Sequence, residues 1–284
     1  MVWMRRLLAT FALAAAMALP VARAVVAAEP QIPVLFDASE RLPKPDVSGI
    51  ERLRFLTATD FPPFNFLDAG GRLSGFHIDL ARAICAELAL TDKCQLQALP
   101  WDRLEGALKD KAGEAIVAGI SVTPEAREKL AFSRPYFVFP ARFVTQKRAA
   151  ATEPIVDQLQ DKQVGVMAGS GHERMLRTYF PGLKVVPYDQ QNALFEDLKA
   201  NKIAAIFGDG MRMSFWLGGS DSAGCCRFAG GPYLAPEFLG QGLAIAVRAE
   251  DSELVTAFDY ALHELSVKGK LAELYLRYFP ISFF

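Results

Sequence analysis

From about residue 52 to the carboxyl end the sequence alternates strand and helix periodicities in two successive cycles, and this alternation fixes the class of fold. In the first cycle residues 53–58 read as a strand. Ile78, Ala81, Ile84, Cys85 and Leu88 recur at helical spacing, and residues 95–99 return to a strand pattern. A helix at 102–108, a strand at 115–117 and a helix at 124–130 follow. Thr123-Pro124 suits the start of that last helix, because the hydroxyl accepts an orphan amide proton and proline has none to leave unpaired. A polar, alanine-rich break at 147–153 precedes the second cycle. There, residues 163–167 and 204–207 read as strands, Gly169-Ser170-Gly171 as a turn, and 173–179 and 191–200 as helices. Short connections of this kind imply a sheet covered by helices, an α/β architecture, and two cycles imply two lobes. The 284 residues fit two domains of about 100–150 residues each. A tail with one strand at 243–247 and helices at 252–265 and 271–278 is too small for a third domain and is expected to rejoin one of the lobes.

The amino end has a different character. Arg5 and Arg6 precede an uncharged run at 7–19, whose 13 residues fall short of the about 20 that span a bilayer core. Residues 1–28 therefore read as a secretory signal peptide and stand outside the fold. Two small-x-small cleavage patterns follow, Ala22-Arg23-Ala24 and Val26-Ala27-Ala28, and the polar Glu29-Pro30 favours the second. Residues 29–50, with Pro30, Pro33, Pro43 and Pro45, read as an extended leader. No cysteine lies near the cleavage patterns, so a soluble exported protein is expected, periplasmic in a cell with two membranes. Removing Arg5, Arg6 and Arg23 from the 31 basic residues leaves 28 against 32 acidic ones, a net charge of −4. A chain of that sign has no basic surplus with which to displace counterions from a phosphate backbone, which argues against nucleic-acid partners.

Export also frames the four cysteines, because disulfides persist in oxidising compartments. Cys85 lies near the end of a predicted helix and Cys94 nine positions on, a separation that a helix folding back onto a strand brings within bridging distance. For the adjacent Cys225 and Cys226, free thiols, a vicinal disulfide and a disordered loop are all open. His77, His172 and His263 show no ligand spacing with these cysteines, so no metal is expected. Ser-His-Asp constellations, phosphate-binding loops and dinucleotide fingerprints are absent, and no cofactor is expected.

Ligands of open α/β sheets bind beyond the carboxyl ends of strands, where helix-start amides point outward. Gly119-Ile120-Ser121-Val122-Thr123-Pro124 provides such a start in the first lobe, and Gly169-Ser170-Gly171 in the second. Each alone is also an ordinary turn and cap. Their pairing across lobes strengthens the functional reading, in which helix-start amides and hydroxyls cradle a carboxylate.

The run Asp60-Phe61-Pro62-Pro63-Phe64-Asn65-Phe66 leads a series of short motifs. It continues with Gly75-Phe76-His77-Ile78-Asp79-Leu80-Ala81, Trp101, Gly119-Ile120-Ser121-Val122-Thr123-Pro124-Glu125, Phe132-Ser133-Arg134-Pro135-Tyr136 and Phe207-Gly208-Asp209. In order and spacing this resembles solute-binding protein family 3, the extracytoplasmic receptors that deliver polar amino acids to ABC importers. The resemblance implies a two-lobed periplasmic-binding-protein-like clamp of type II, with two crossover strands as its hinge. Lobe one would be residues 51–143 plus 241–284, and lobe two 144–240. By matching motif, Phe61 and Trp101 are the aromatic walls around the ligand's side chain, and Gly119 and Ser121 bind its carboxylate. Gly171 adds an amide, Asp209 receives the α-ammonium, and Asp60 contacts a polar side chain. The turn at Asp60 is two residues shorter than in the glutamine- and histidine-binding relatives, which ranks it lower. The Cys85–Cys94 pair also resembles a disulfide of the histidine-binding relatives. The implied partners are a small solute, an amino acid or relative, and the membrane permease of an ABC transporter; the protein itself would be a monomer.

One position departs from the pattern. Family members with α-amino-acid ligands usually carry an arginine three residues after the threonine, and here that position is Ala126, with Arg127 one step later. A helix turns about 100° per residue, so Arg127 emerges on another face. Either Arg127 reaches round, or Arg142 or another base replaces the missing group, or the ligand is not a standard α-amino acid. Plain structural roles compete throughout: Asp209 could only cap a helix, and Phe61 and Trp101 could only fill a core. Two rival functions remain. The fold also resembles periplasmic cyclohexadienyl dehydratases, where Glu173 beside His172 would be the general acid, although a helix start lowers a carboxyl pKa and such an acid needs it raised. A sensor uncoupled from transport would use the same closure. Glu87, Asp92 and Lys199 are exposed-charge candidates for contact with a membrane partner.

Overall fold

The computed structural model describes residues 35–149, 154–279 and 281–284. The expected signal peptide and the first residues of the leader lie outside the described residues. The strands, in chain order, are β1 (Leu53–Thr57), β2 (Asp60–Phe61), β3 (Asn65–Leu67), β4 (Leu73–Ser74), β5 (Cys94–Ala98), β6 (Ala115–Ile116) and β7 (Leu130–Phe132). They continue with β8 (Ala141–Gln146), β9 (Gln163–Met167), β10 (Lys184–Tyr188), β11 (Ala205–Asp209), β12 (Cys226–Tyr233) and β13 (Ala246–Arg248). Two five-stranded sheets result, ordered β5-β1-β6-β13-β7 and β10-β9-β11-β8-β12, with a small antiparallel sheet β2-β3-β4 on the first.

The two orders are the same pattern used twice. In each sheet the first three strands run parallel, and the fourth is antiparallel to both neighbours. That fourth strand arrives from the other half of the molecule: β8 follows β7 of the first sheet, and β13 follows β12 of the second. The chain thus crosses between lobes twice, as expected of the clamp. The two crossings lie side by side, with the Leu243 N–H donating to the Phe137 carbonyl at 2.8 Å and the Tyr136 N–H to the Leu243 carbonyl at 2.9 Å. Gly242, at φ +98°, is required there, since a Cβ on it would lie 2.3 Å from the Phe137 carbonyl oxygen.

The helices are α1 (Phe76–Glu87), α2 (Leu104–Lys109), α3 (Pro124–Arg127), α4 (Ile155–Leu159), α5 (Gly171–Tyr179), α6 (Gln191–Lys199), α7 (Gly210–Gly218), α8 (Pro236–Leu239), α9 (Ser252–Val267) and α10 (Lys270–Tyr278). Sequence periodicity carries the helix after Thr123 to residue 130, but α3 stops at Arg127 because Leu130 is already paired with Arg248 of β13. Helices α9 and α10 pack on α1 and the first sheet, with Phe258, Leu262 and Tyr275 buried in one core with Phe55, Leu80 and Ile84. The second sheet buries Phe143, Val166, Leu176 and Phe207 on one face and Val144, Leu194, Leu198 and Ile206 on the other.

The described part of the leader, residues 35–50, contains no helix or strand, yet it is anchored. Phe36 enters the first core at 3% exposure, and Glu40 pairs with Arg134 at 2.7 Å. The expected bridge between Cys85 and Cys94 forms, with Cα atoms 6.2 Å apart, and ties the end of α1 to the start of β5. Cys225 and Cys226 are joined as a vicinal disulfide at the edge of β12. Among the described residues no helix is long and apolar enough to cross a membrane, and no cluster of side chains suited to a metal is present.

Candidate ligand-binding site

The residues singled out by sequence lie at the carboxyl ends of parallel strands in both sheets. In the first, Asp60 and Phe61 follow β1, Trp101 follows β5, and Gly119 and Ser121 follow β6. Phe61 is half-buried and stacked on Phe64, with ring centroids 4.7 Å apart. Its ring lies directly on Gly119, where φ is +91° and an added Cβ would be 2.8 Å from the ring. Phe61 and the Gly119 backbone are therefore one surface. Asp60 and Ser121 are exposed, and Trp101 is 51% exposed, which removes the core-packing alternative for that side chain.

Beneath this surface sits His77, fully buried, for which the sequence suggested no role. Asn65 Oδ1 can only accept, so His77 Nδ1–H donates to it at 2.7 Å, and the Tyr136 hydroxyl donates to Nε2 at 2.9 Å. Burial lowers the His77 pKa to about 3 and raises that of Tyr136, so both remain neutral. A polar residue near Gly75 was legible in sequence; its burial depends on Tyr136, 59 residues away, and was not.

Thr123 Oγ1 accepts the Ala126 amide at 3.2 Å, the expected cap. Arg127 Nη2 donates to Gln241 Oε1 at 3.1 Å, so this arginine reaches the second crossing. Arg142, the other base considered, is 9% exposed; its Nε donates to the Gly230 carbonyl at 2.8 Å and its guanidinium lies 4.7 Å from the Phe228 ring centroid.

In the second sheet β9 leads into α5 and β11 into α7. Ser170 Oγ accepts the Glu173 amide at 3.1 Å, while the Glu173 carboxylate accepts the Gly169 amide at 2.8 Å and pairs with Arg177 at 2.8 Å. Arg177 and the Gly169 amide hold the Glu173 carboxyl below its ordinary range, the reverse of what a general acid requires. Gly171 is dictated by packing, because a Cβ there would lie 2.2 Å from the Phe238 carbonyl oxygen. Asp209 Oδ1 accepts the Arg212 amide at 2.7 Å and caps α7. Its side chain also lines a cavity of 240 Å³ with Ser170, His172, Phe207 and Arg212. Burial, reinforced by Arg212, holds the His172 pKa below its ordinary value against the opposing pull of Asp209. Sequence gives His172 no role in ligand binding and does not single out Arg212; the signal for Arg212 is its place three residues after a capping aspartate, which puts both side chains at one helix end.

First-sheet residues do not line this cavity, so the expected residues fall into two groups, one at each sheet, rather than one closed site. A larger hollow of 590 Å³ lies at the opposite, amino end of β1, walled by Glu51, Arg52 and Glu253, away from the strand ends that carry the loops.

Residues 53–281 match the model of the bacterial extracellular solute-binding proteins, family 3. The chain is 29% identical to the ABC transporter arginine-binding protein 1 of Escherichia coli (strain K12), covering 82% of this chain and 93% of that one. It is 30% identical to the lysine/arginine/ornithine-binding periplasmic protein of the same strain, covering 82% and 89%. The L-cystine solute receptor of Neisseria gonorrhoeae, solved unliganded and open, shares the fold at a TM-score of 0.69 and 19% identity, covering 83% of this chain and 95% of that one. The repeated sheet order, the double crossing and these matches together make the chain a member of the bacterial extracellular solute-binding proteins, family 3.

Proposed function

We propose that this protein is a periplasmic receptor that closes over a small amino acid, a cationic one first among candidates, and passes it to the membrane permease of an ABC importer. The observation that carries this reading is two groups of candidate residues at the carboxyl ends of parallel strands, in sheets joined by two adjacent crossings. The lobe boundaries expected at 143/144 and 240/241 move to the crossings, because all of β8 lies in the second sheet, so lobe one is taken as 51–137 plus 243–284 and lobe two as 138–242. Phe61 and Trp101 flank the ligand's side chain, and Gly119 and Ser121 meet its carboxylate. Arg127 stands one helical turn beyond that loop. Gly171 lends a helix-start amide, Asp209 takes the α-ammonium, and Asp60 lies at the rim toward a polar side-chain end. The cationic preference draws on the relatives whose names specify arginine, lysine and ornithine.

No catalytic role is assigned. The Glu173 carboxylate is engaged by the Gly169 amide and Arg177, which favours a helix-capping role over proton donation. The test is a thermal-shift screen of the mature protein, refolded to remove carried-over ligand, against the twenty amino acids, ornithine and prephenate. Ligand that binds only the folded state raises Tm, by about 2.7 kcal/mol of stabilisation at a hundred times Kd. A shift with arginine, lysine or ornithine is expected. Turnover of prephenate would replace the receptor by an enzyme.

A further inference from the structure

We propose that Arg212, with the His172 ring beside it, holds the carboxylate of the ligand, so that lobe two alone supplies partners for both charges of a zwitterion. The proposal rests on the receptor reading above and adds to it a residue that the motifs do not identify. Asp209 caps α7 and Arg212 is the third residue of that helix; both side chains line the 240 Å³ cavity. Among the described residues the Arg212 guanidinium makes no ion pair, even with Asp209, so the cavity carries two opposite charges that do not neutralise each other.

A third group converges on the same space. His172 Nε2 is shielded from solvent and has no hydrogen-bond partner. A buried polar atom left unmatched is costly, and because His172 lines the cavity, a turn of the ring would bring it to an occupant there. A neutral imidazole can donate an N–H to a carboxylate oxygen while the planar guanidinium takes that carboxylate in a two-pronged contact. Met167, Leu194, Phe207 and Met213 add apolar surface to the lining beside the polar Gln191, which suits an occupant with both apolar and charged parts. The arrangement fits a molecule with an ammonium and a carboxylate on one carbon, as in an α-amino acid. On the other lobe, the turn that follows the Gly119–Ser121 loop carries Ala126, and the next residue, Arg127, is already bonded to Gln241.

The experiment is calorimetric titration of refolded wild type, R212A, R212K and R127A with L-arginine and with agmatine, which is arginine without its carboxylate. The expected result is a ten- to hundredfold weakening of L-arginine binding in R212A, the range for losing one charge-assisted carboxylate contact. It should exceed the loss in R127A, be partly restored in R212K, and be absent for agmatine. The exposed Arg212 side chain leaves the fold intact, checked by an unchanged ligand-free Tm. L-arginine binding by R212A within twofold of wild type overturns the assignment, as does equal weakening of both probes or a greater loss in R127A. A wild type that binds none of L-arginine, L-lysine and L-ornithine overturns the cationic-receptor reading and this assignment with it; binding by wild type and R212A alike overturns this assignment alone.

Discussion

His77 makes the resting protein sensitive to acid. In the unfolded chain its pKa is that of free imidazole, about 6.5, whereas burial in the native state lowers it to about 3. Between those values the unfolded state binds a proton that the native state refuses. Stability contributed by the neutral ring is therefore complete above about pH 6.5 and falls as pH drops toward 3, by up to about 1.4 kcal/mol per pH unit. Urea unfolding at pH 4, 5, 6 and 7 should show a steeper loss for wild type than for H77Q, by the equivalent of one proton; parallel curves would mean that the imidazole is not buried neutral. Asp209 acts at the same scale through two functions that a single substitution separates. Asn caps helices as well as Asp does, so D209N should leave the ligand-free Tm nearly unchanged while weakening amino-acid binding roughly ten- to hundredfold. A fall in Tm with affinity retained would reduce Asp209 to a cap. Much at this scale was legible in the sequence: Thr123 and Asp209 stand at helix starts where local spacing puts them. The setting of His77 was not, because Asn65 and Tyr136, which hold it, come from segments far apart in the chain, whereas Arg212 carries a local signal three residues after Asp209.

Local elements carry the next layer. The Cys85–Cys94 bridge closes a short loop between α1 and β5, and on the chain-entropy model such a loop contributes about 2–3 kcal/mol. For a protein of this size the double variant C85S/C94S should unfold roughly 5–10 °C lower. An unchanged Tm in protein purified from the oxidising compartment would show that the bridge adds no stability. Helix α5 opens with local capping, the Ser170 hydroxyl accepting the Glu173 amide and the Glu173 carboxylate the Gly169 amide, yet it begins at Gly171, two residues before the start expected at 173. In the first lobe the carboxyl end of α3 departs from the periodicity: the apolar Leu130 extends the helical pattern after Thr123, but pairing with β13, more than a hundred residues later, converts it to strand. The leader shows the same limit. Its described residues 35–50 form no helix or strand, while the anchoring of Phe36 in the core depends on residues from the far end of the chain.

At the scale of the whole molecule, alternation in the sequence was enough to give two α/β lobes but not the order of strands within them. That order depends on where the chain crosses, and the antiparallel fourth strand of each sheet is placed by the opposite lobe. The crossings themselves set the hinge. G242A would push a Cβ against the Phe137 carbonyl at a left-handed position, a strain of about 1–3 kcal/mol. We expect a lower Tm and a changed solution scattering profile without ligand, while a variant indistinguishable from wild type by both would remove Gly242 from the hinge. The pairing of Tyr136 and Phe137 with Leu243 has one more consequence. The chain that leaves the first sheet at Phe137 returns at Leu243 hydrogen-bonded to its point of departure, so all of the second sheet is an excursion whose ends meet. In the language of recombination it is a cassette: an exchange of residues 138–242 between relatives, or their replacement by a tight turn, would preserve the junction on which the remaining core depends.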